Sequence, residues 1–80
     1  MNTKEYVKRR DEILINFENM SDKELFIALF ELNSNNIPST PKIARIGLHK
    51  ARLYSKGVPI ELRERSRNWL AEHNYSEDIF

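Results

Sequence analysis

Residues 40–60 read TPKIARIGLHKARLYSKGVPI, and this stretch decides the fold. Thr40 followed by Pro41 is a helix start: a hydroxyl that satisfies a free amide, then a proline whose missing N–H costs nothing at the first helical position. Gly57 suits the left-handed position after a helix. Val58 and Pro59 restart the chain at once, with proline again at a first position. Val58 is a poor cap, so packing must hold that turn. The stretch predicts two consecutive helices, about 41–56 and about 59–74.

Working outward, residues 33–39 (NSNNIPS) read as a loop, because Asn and Ser bond their own backbone and the residue before proline avoids the helical region. Ahead of the loop, Ser21 and Glu24 form a capping box in front of the apolar run LFIALFEL at residues 25–32, which predicts a buried helix over about 22–33. Thr3 can cap a first helix over about 4–18, in which Tyr6, Arg10, Ile13, Leu14 and Phe17 share a face. Residues 75–80 read as a fraying tail, with Ile79 and Phe80 able to fold back. Only two glycines are present, there is no hairpin dipeptide, and no segment alternates cleanly between apolar and polar. The expectation is an all-α fold, a small bundle of about four short helices in one domain spanning 1–80. Helices this short are marginal alone, so packing must stabilise them. The expected core is Tyr6, Ile13, Leu14, Phe17, Leu25, Phe26, Leu29, Leu32, Ile43, Ile46, Leu53, Leu62, Trp69 and Leu70. The only tryptophan, Trp69, is expected near its centre.

Composition removes several function classes. Eighty residues support one small core. There is no cysteine, which excludes disulfides, thiolate metal sites and cysteine nucleophiles. No apolar run approaches the length of a membrane span. The first twelve residues carry Lys4, Glu5, Lys8, Arg9, Arg10, Asp11 and Glu12, which is no secretory signal, so the expected compartment is the cytoplasm. No phosphate loop, nucleophile elbow or zincin motif occurs. His49 and His73 fall on different helices, and with Glu77 they lack the close spacing of a zinc ligand set. A non-enzymatic protein without cofactor or metal is expected.

The formal net charge is +1, too balanced for a non-specific polyanion binder. The total conceals a basic block, however: residues 42–67 carry eight basic and two acidic side chains. Within the third helix Lys42, Arg45, His49, Arg52 and Lys56 recur at spacings of 3, 4, 3 and 4, within an arc of roughly 80°. Arg63 and Arg67 on the fourth helix extend that surface. Like charges in a row repel, so the stripe is expected to be an outward ridge that meets an acidic surface of a partner protein. A solvated helix face without function is the simpler alternative.

The same helices invite comparison with a DNA-binding helix-turn-helix. With Gly57 as the turn glycine, bulky Leu53 takes the small-residue position, and Arg52 and Arg63 take positions normally buried. With Ala51 as the small residue, Glu61 and Glu64 would enter the core. Glu61, Glu64 and Glu72 on the would-be recognition helix oppose phosphate. Nucleic-acid binding through residues 41–56 and 59–74 therefore stands second.

The block at residues 39–70, STPKIARIGLHKARLYSKGVPIELRERSRNWL, together with the chain's length and its lack of a signal, resembles the cytoplasmic lysis-inhibition accessory proteins of T-even-like bacteriophages. The resemblance implies a cytoplasmic antiholin, a regulator that binds the cytosolic part of a phage holin and helps delay lysis. It assigns a role to no particular residue.

Overall fold

The computed structural model describes residues 3–32 and 40–78. Its elements are α1 (Thr3–Asn16), a 3-10 turn (Phe17–Asn19), α2 (Asp22–Leu32), α3 (Pro41–Tyr54) and α4 (Ile60–Glu72). No strand occurs among the described residues, so the all-α bundle is as expected. The loop placed at 33–39 lies outside the described residues, as do Ile79 and Phe80.

The two local start signals form as read. Ser21 Oγ accepts from the Glu24 amide at 3.1 Å, and the Glu24 carboxylate accepts from the Ser21 amide at 3.1 Å. Thr40 Oγ1 accepts from the Ile43 amide at 3.2 Å, with Pro41 opening α3. Helix ends differ more. Helix α1 stops two residues early and tightens into the 3-10 turn. That turn swings Phe17 fully into the core. Helix α4 closes in a Schellman arrangement. Asn74 takes the left-handed conformation (φ 61°), its amide donates to Ala71 O at 3.2 Å, and the Tyr75 amide donates to Leu70 O at 2.9 Å. This turns residues 75–78 back along α4. Tyr54 Oη donates to Glu77 O at 2.9 Å, and Arg67 lies 3.7 Å from the Glu77 carboxylate. These contacts fall within the stretch expected to fray.

Gly57 does not act as a left-handed helix stop, because neither glycine has a positive φ. Helix α3 ends at Tyr54, with Ser55 extended. What Gly57 supplies is space, since a Cβ there would overlap the Asp11 carboxylate. Asp11 in turn accepts a hydrogen bond from Ser55 Oγ at 2.9 Å. A side chain at position 57 would therefore have to displace the Asp11 carboxylate that holds Ser55.

The core holds Ile13, Leu14, Phe17, Leu25 and Leu70 as expected, joined by Ala28, Ala44 and Val58. Small residues let the helices approach closely. Helices α3 and α4 pack most extensively. Two expected core residues stand out in solvent, Tyr6 and Ile43, the latter 52% exposed. Trp69 is half-buried rather than central. The exposure of Ile43 has the same origin as the largest difference from the sequence reading: α3 is rotated so that the middle of its basic stripe, Arg45, His49 and Arg52, turns inward, while Lys42 and Lys56 at its ends stay exposed.

Candidate functional site

Arg52 is 0% exposed and His49 is 3% exposed, so the stripe is no continuous outward ridge. The physical reason is the C-terminal end of α1. The last turn of a helix presents unpaired carbonyls and the negative end of its dipole. Arg52 Nε donates to Leu14 O at 2.6 Å, and a terminal nitrogen reaches Ile15 O at 3.4 Å. The same guanidinium meets Glu18 at 2.5 Å and lies over the Phe17 ring, 4.2 Å from its centroid. Two turns earlier, Arg45 repeats the pattern, donating to Phe17 O at 3.1 Å, Met20 O at 3.0 Å and Asp22 at 2.9 Å. The two arginines clasp the corner between α1 and α2. The anion that the stripe calls for is supplied largely within the chain.

His49 sits at the centre of this polar core. Its Nδ1 is 2.8 Å from Ser66 Oγ, and Arg52 donates to the same oxygen at 3.3 Å. A guanidinium only donates, so one lone pair of Ser66 is taken. That favours a hydroxyl proton directed to His49 Nδ1. Burial, then the Arg52 charge, push the His49 pKa down to about 4. The ring is therefore neutral near pH 7. The Glu18 carboxyl is opposed by burial, but hydrogen bonding from Arg52 and the charges of Arg52 and Arg65 hold it below the usual carboxylate range.

Outward from His49 runs an aromatic stack. The Trp69 indole lies 4.1 Å from the His49 ring and 4.2 Å from the His73 ring, near-parallel to both. Tyr75, brought back by the Schellman turn, is 5.9 Å from Trp69 and nearly parallel to His73. His73 Nδ1 donates to Trp69 O at 2.7 Å, which fixes the ring against the helix end. Trp69, His73 and Tyr75 form one wall of a groove of about 490 Å³, completed by Pro41, Lys42 and Arg45 of α3 and Asp22 of α2. Lys42 makes no ion pair among the described residues. The first turn of α3 adds the positive end of its dipole. The groove therefore sets an apolar aromatic wall against Lys42 and the α3 N-terminus, while Arg45 is held by Asp22 at its edge.

Of the seven residues singled out in the sequence, Lys42 and Arg45 reach this groove, and His49 and Arg52 lie beneath it. Lys56 is exposed at the α3–α4 turn. Arg63 is half-buried, with its Nε buried and without a hydrogen-bond partner. Arg67 pairs with Glu64 and Glu77. The wall residues His73 and Tyr75 lie outside the basic stripe that the sequence marks. The signal for them was the aromatic spacing 69, 73, 75 together with Asn74, a residue tolerant of the left-handed turn.

On α4 the outward side carries a second cavity, of about 470 Å³, lined by Glu18, Glu61, Glu64, Arg65, Asn68, Trp69 and Glu72. Its acidic lining is unfavourable to phosphate. One objection to a helix-turn-helix is removed, since Arg52 is accommodated in the buried position that the frame demands. The acids on α4 remain. No protein-family model, curated protein or solved structure matches this chain.

Proposed function

We propose that this chain is a non-enzymatic interaction module that takes an acidic segment of a partner protein into the groove between the start of α3 and the end of α4. The observation that carries this reading is the pairing of Trp69, His73 and Tyr75 with Lys42 and Arg45 around one groove. An apolar or aromatic side chain of the partner would pack against the ring edges, and its acidic neighbours would face Lys42 and the α3 N-terminus. Aromatic and arginine side chains are the usual anchors of such contacts, and charge complementarity mainly raises the association rate. The sharpest form of the proposal follows from the resemblance to cytoplasmic antiholins: the partner is the cytosolic segment of a phage holin, and the protein regulates lysis from the cytoplasm. The acidic outward side of α4 weighs against nucleic acid.

The test titrates a synthetic cytosolic segment of a T-even-like phage holin into the protein and follows fluorescence of Trp69. Saturable binding that weakens about tenfold with Lys42→Glu, and again with Tyr75→Ala, is expected. Binding that ignores both changes places the partner elsewhere. Binding to duplex DNA with a steep salt dependence, and none to the peptide, would favour the nucleic-acid reading instead.

A further inference from the structure

The outward face of α2 is unusual for a surface helix. At about 100° per residue, Leu25, Ala28, Leu29 and Leu32 point to the core. Leu25 and Ala28 are buried, and Leu29 and Leu32 pack against the core cluster. The opposite side carries Lys23, Ile27, Phe30 and Glu31, all exposed. Ile27 is 50% and Phe30 57% exposed, and with Phe26 and Glu31 they border an open apolar cavity of about 510 Å³. A face of this kind, apolar at its middle and charged at its two ends, is self-complementary. Lys23 and Glu31 lie four residues before and four residues after Ile27, so an antiparallel copy of the helix centred on Ile27 sets each Lys23 against a Glu31.

We propose that this face of α2 is an interface between two copies of the chain, a two-fold antiparallel helix pair with Ile27 on the axis. A two-fold contact must use one patch on both chains, and the Lys23–Ile27–Glu31 spacing satisfies that with opposite charges. Ile27 packs on the Ile27 of the second copy, and Phe30 packs over the aliphatic stem of the opposing Glu24. Arg9 already holds Glu31 through Oε2 at 3.0 Å, which leaves Oε1 for the incoming Lys23. Lys23 has no ion pair among the described residues. Eleven residues make a helix only about 16 Å long. The contact is therefore smaller than the roughly 800 Å² per partner of a stable complex, and the association is weak and concentration-dependent. The groove of α3 and α4 is left open, so this proposal stands apart from the partner-binding one.

The experiment is analytical ultracentrifugation of the full chain between about 10 µM and 1 mM. The expected result is a mass rising from the 9.5 kDa monomer towards twice that value. Ile27→Asp, which sets two like charges on the axis, should weaken association at least tenfold while circular dichroism remains that of the folded wild type. Lys23→Glu and Glu31→Lys should each weaken it about tenfold alone, and mixing the two variants should restore it, since opposite charges then face each other at both ends. This mixing readout holds even if Ile27→Asp perturbs folding. A wild type that stays monomeric at 1 mM overturns the proposal. So does a dimer indifferent to Ile27→Asp, or a mixture that associates no better than its parts.

Discussion

Replacing Arg52 by alanine should cost this protein a large part of its stability. The guanidinium is fully buried and donates to Leu14 O, Ile15 O, Glu18 and Ser66. Alanine removes the cap from the last turn of α1, orphans the buried Leu14 carbonyl, leaves Glu18 with only Arg65 at 3.1 Å and opens a cavity beside Phe17. A buried acceptor stripped of its partner costs about 1–3 kcal/mol, and breaking a buried ion pair from one side costs about 3–5 kcal/mol in all. Glu18 keeps partial access to water, which places the expectation near the lower end, about 3–4 kcal/mol. A domain of this size has only about 4–12 kcal/mol in total. The melting temperature should fall by at least about 12 °C, read by far-ultraviolet circular dichroism and, independently, by Trp69 fluorescence. Lys42→Ala, on the exposed end of the same stripe, is the control and should stay within about 0.5 kcal/mol of wild type. If Arg52→Ala melts within a few degrees of wild type, the arginine clasp is not what holds the α1–α2 corner, and the inward rotation of α3 is wrong.

Acid should destabilise the protein earlier than its carboxylates alone would require. His49 titrates near 4 when folded and near 6.5 when unfolded, so the unfolded chain takes the proton first. The neutral ring's contribution is complete above about pH 6.5 and drains as pH falls towards 4, with about 2–3 kcal/mol lost by pH 4.5. Urea unfolding at pH 7 and 4.5 measures it, and His49→Gln should lose that part of the slope. Gly57→Ala should cost about 1–2 kcal/mol by displacing the Asp11 carboxylate, and most of that penalty should vanish in an Asp11→Ser background. A double-mutant cycle in chemical denaturation checks this coupling. Thr40→Ala should cost about 1 kcal/mol through the lost α3 cap; a thermal melt within 1 °C of wild type would show that the cap is dispensable.

The parts of the fold legible in the sequence were those set by neighbours along the chain. Thr40-Pro41 and Ser21-x-x-Glu24 mark helix starts because both partners of each hydrogen bond lie within four residues. The apolar run at 25–32 needs burial wherever the chain goes. The face of α3 was not legible, because charge-based reasoning sends Arg and His outward unless an acceptor is known. The acceptors of Arg52 are backbone carbonyls of α1, about 38 residues away in sequence, those of Arg45 lie at the corner that follows, and carbonyls leave no trace in side-chain patterning. Ala28 and Ala44 are core residues that hydropathy does not mark, because small side chains carry little of it, although they sit where helices approach closely. The groove was half legible. Lys42 and Arg45 stood out by their spacing, whereas Tyr75 reaches the site only through the left-handed turn at Asn74.

The claim that the Trp69–His73–Tyr75 groove is the partner-binding site is tested most directly by a ¹H–¹⁵N correlation titration with the same synthetic holin segment. The account predicts saturable shifts at the Trp69 indole N–H and at the amides of Lys42, Arg45 and Tyr75, with Ile27 and Phe30 on α2 undisturbed. Shifts confined to α2, or none at millimolar peptide, would contradict it.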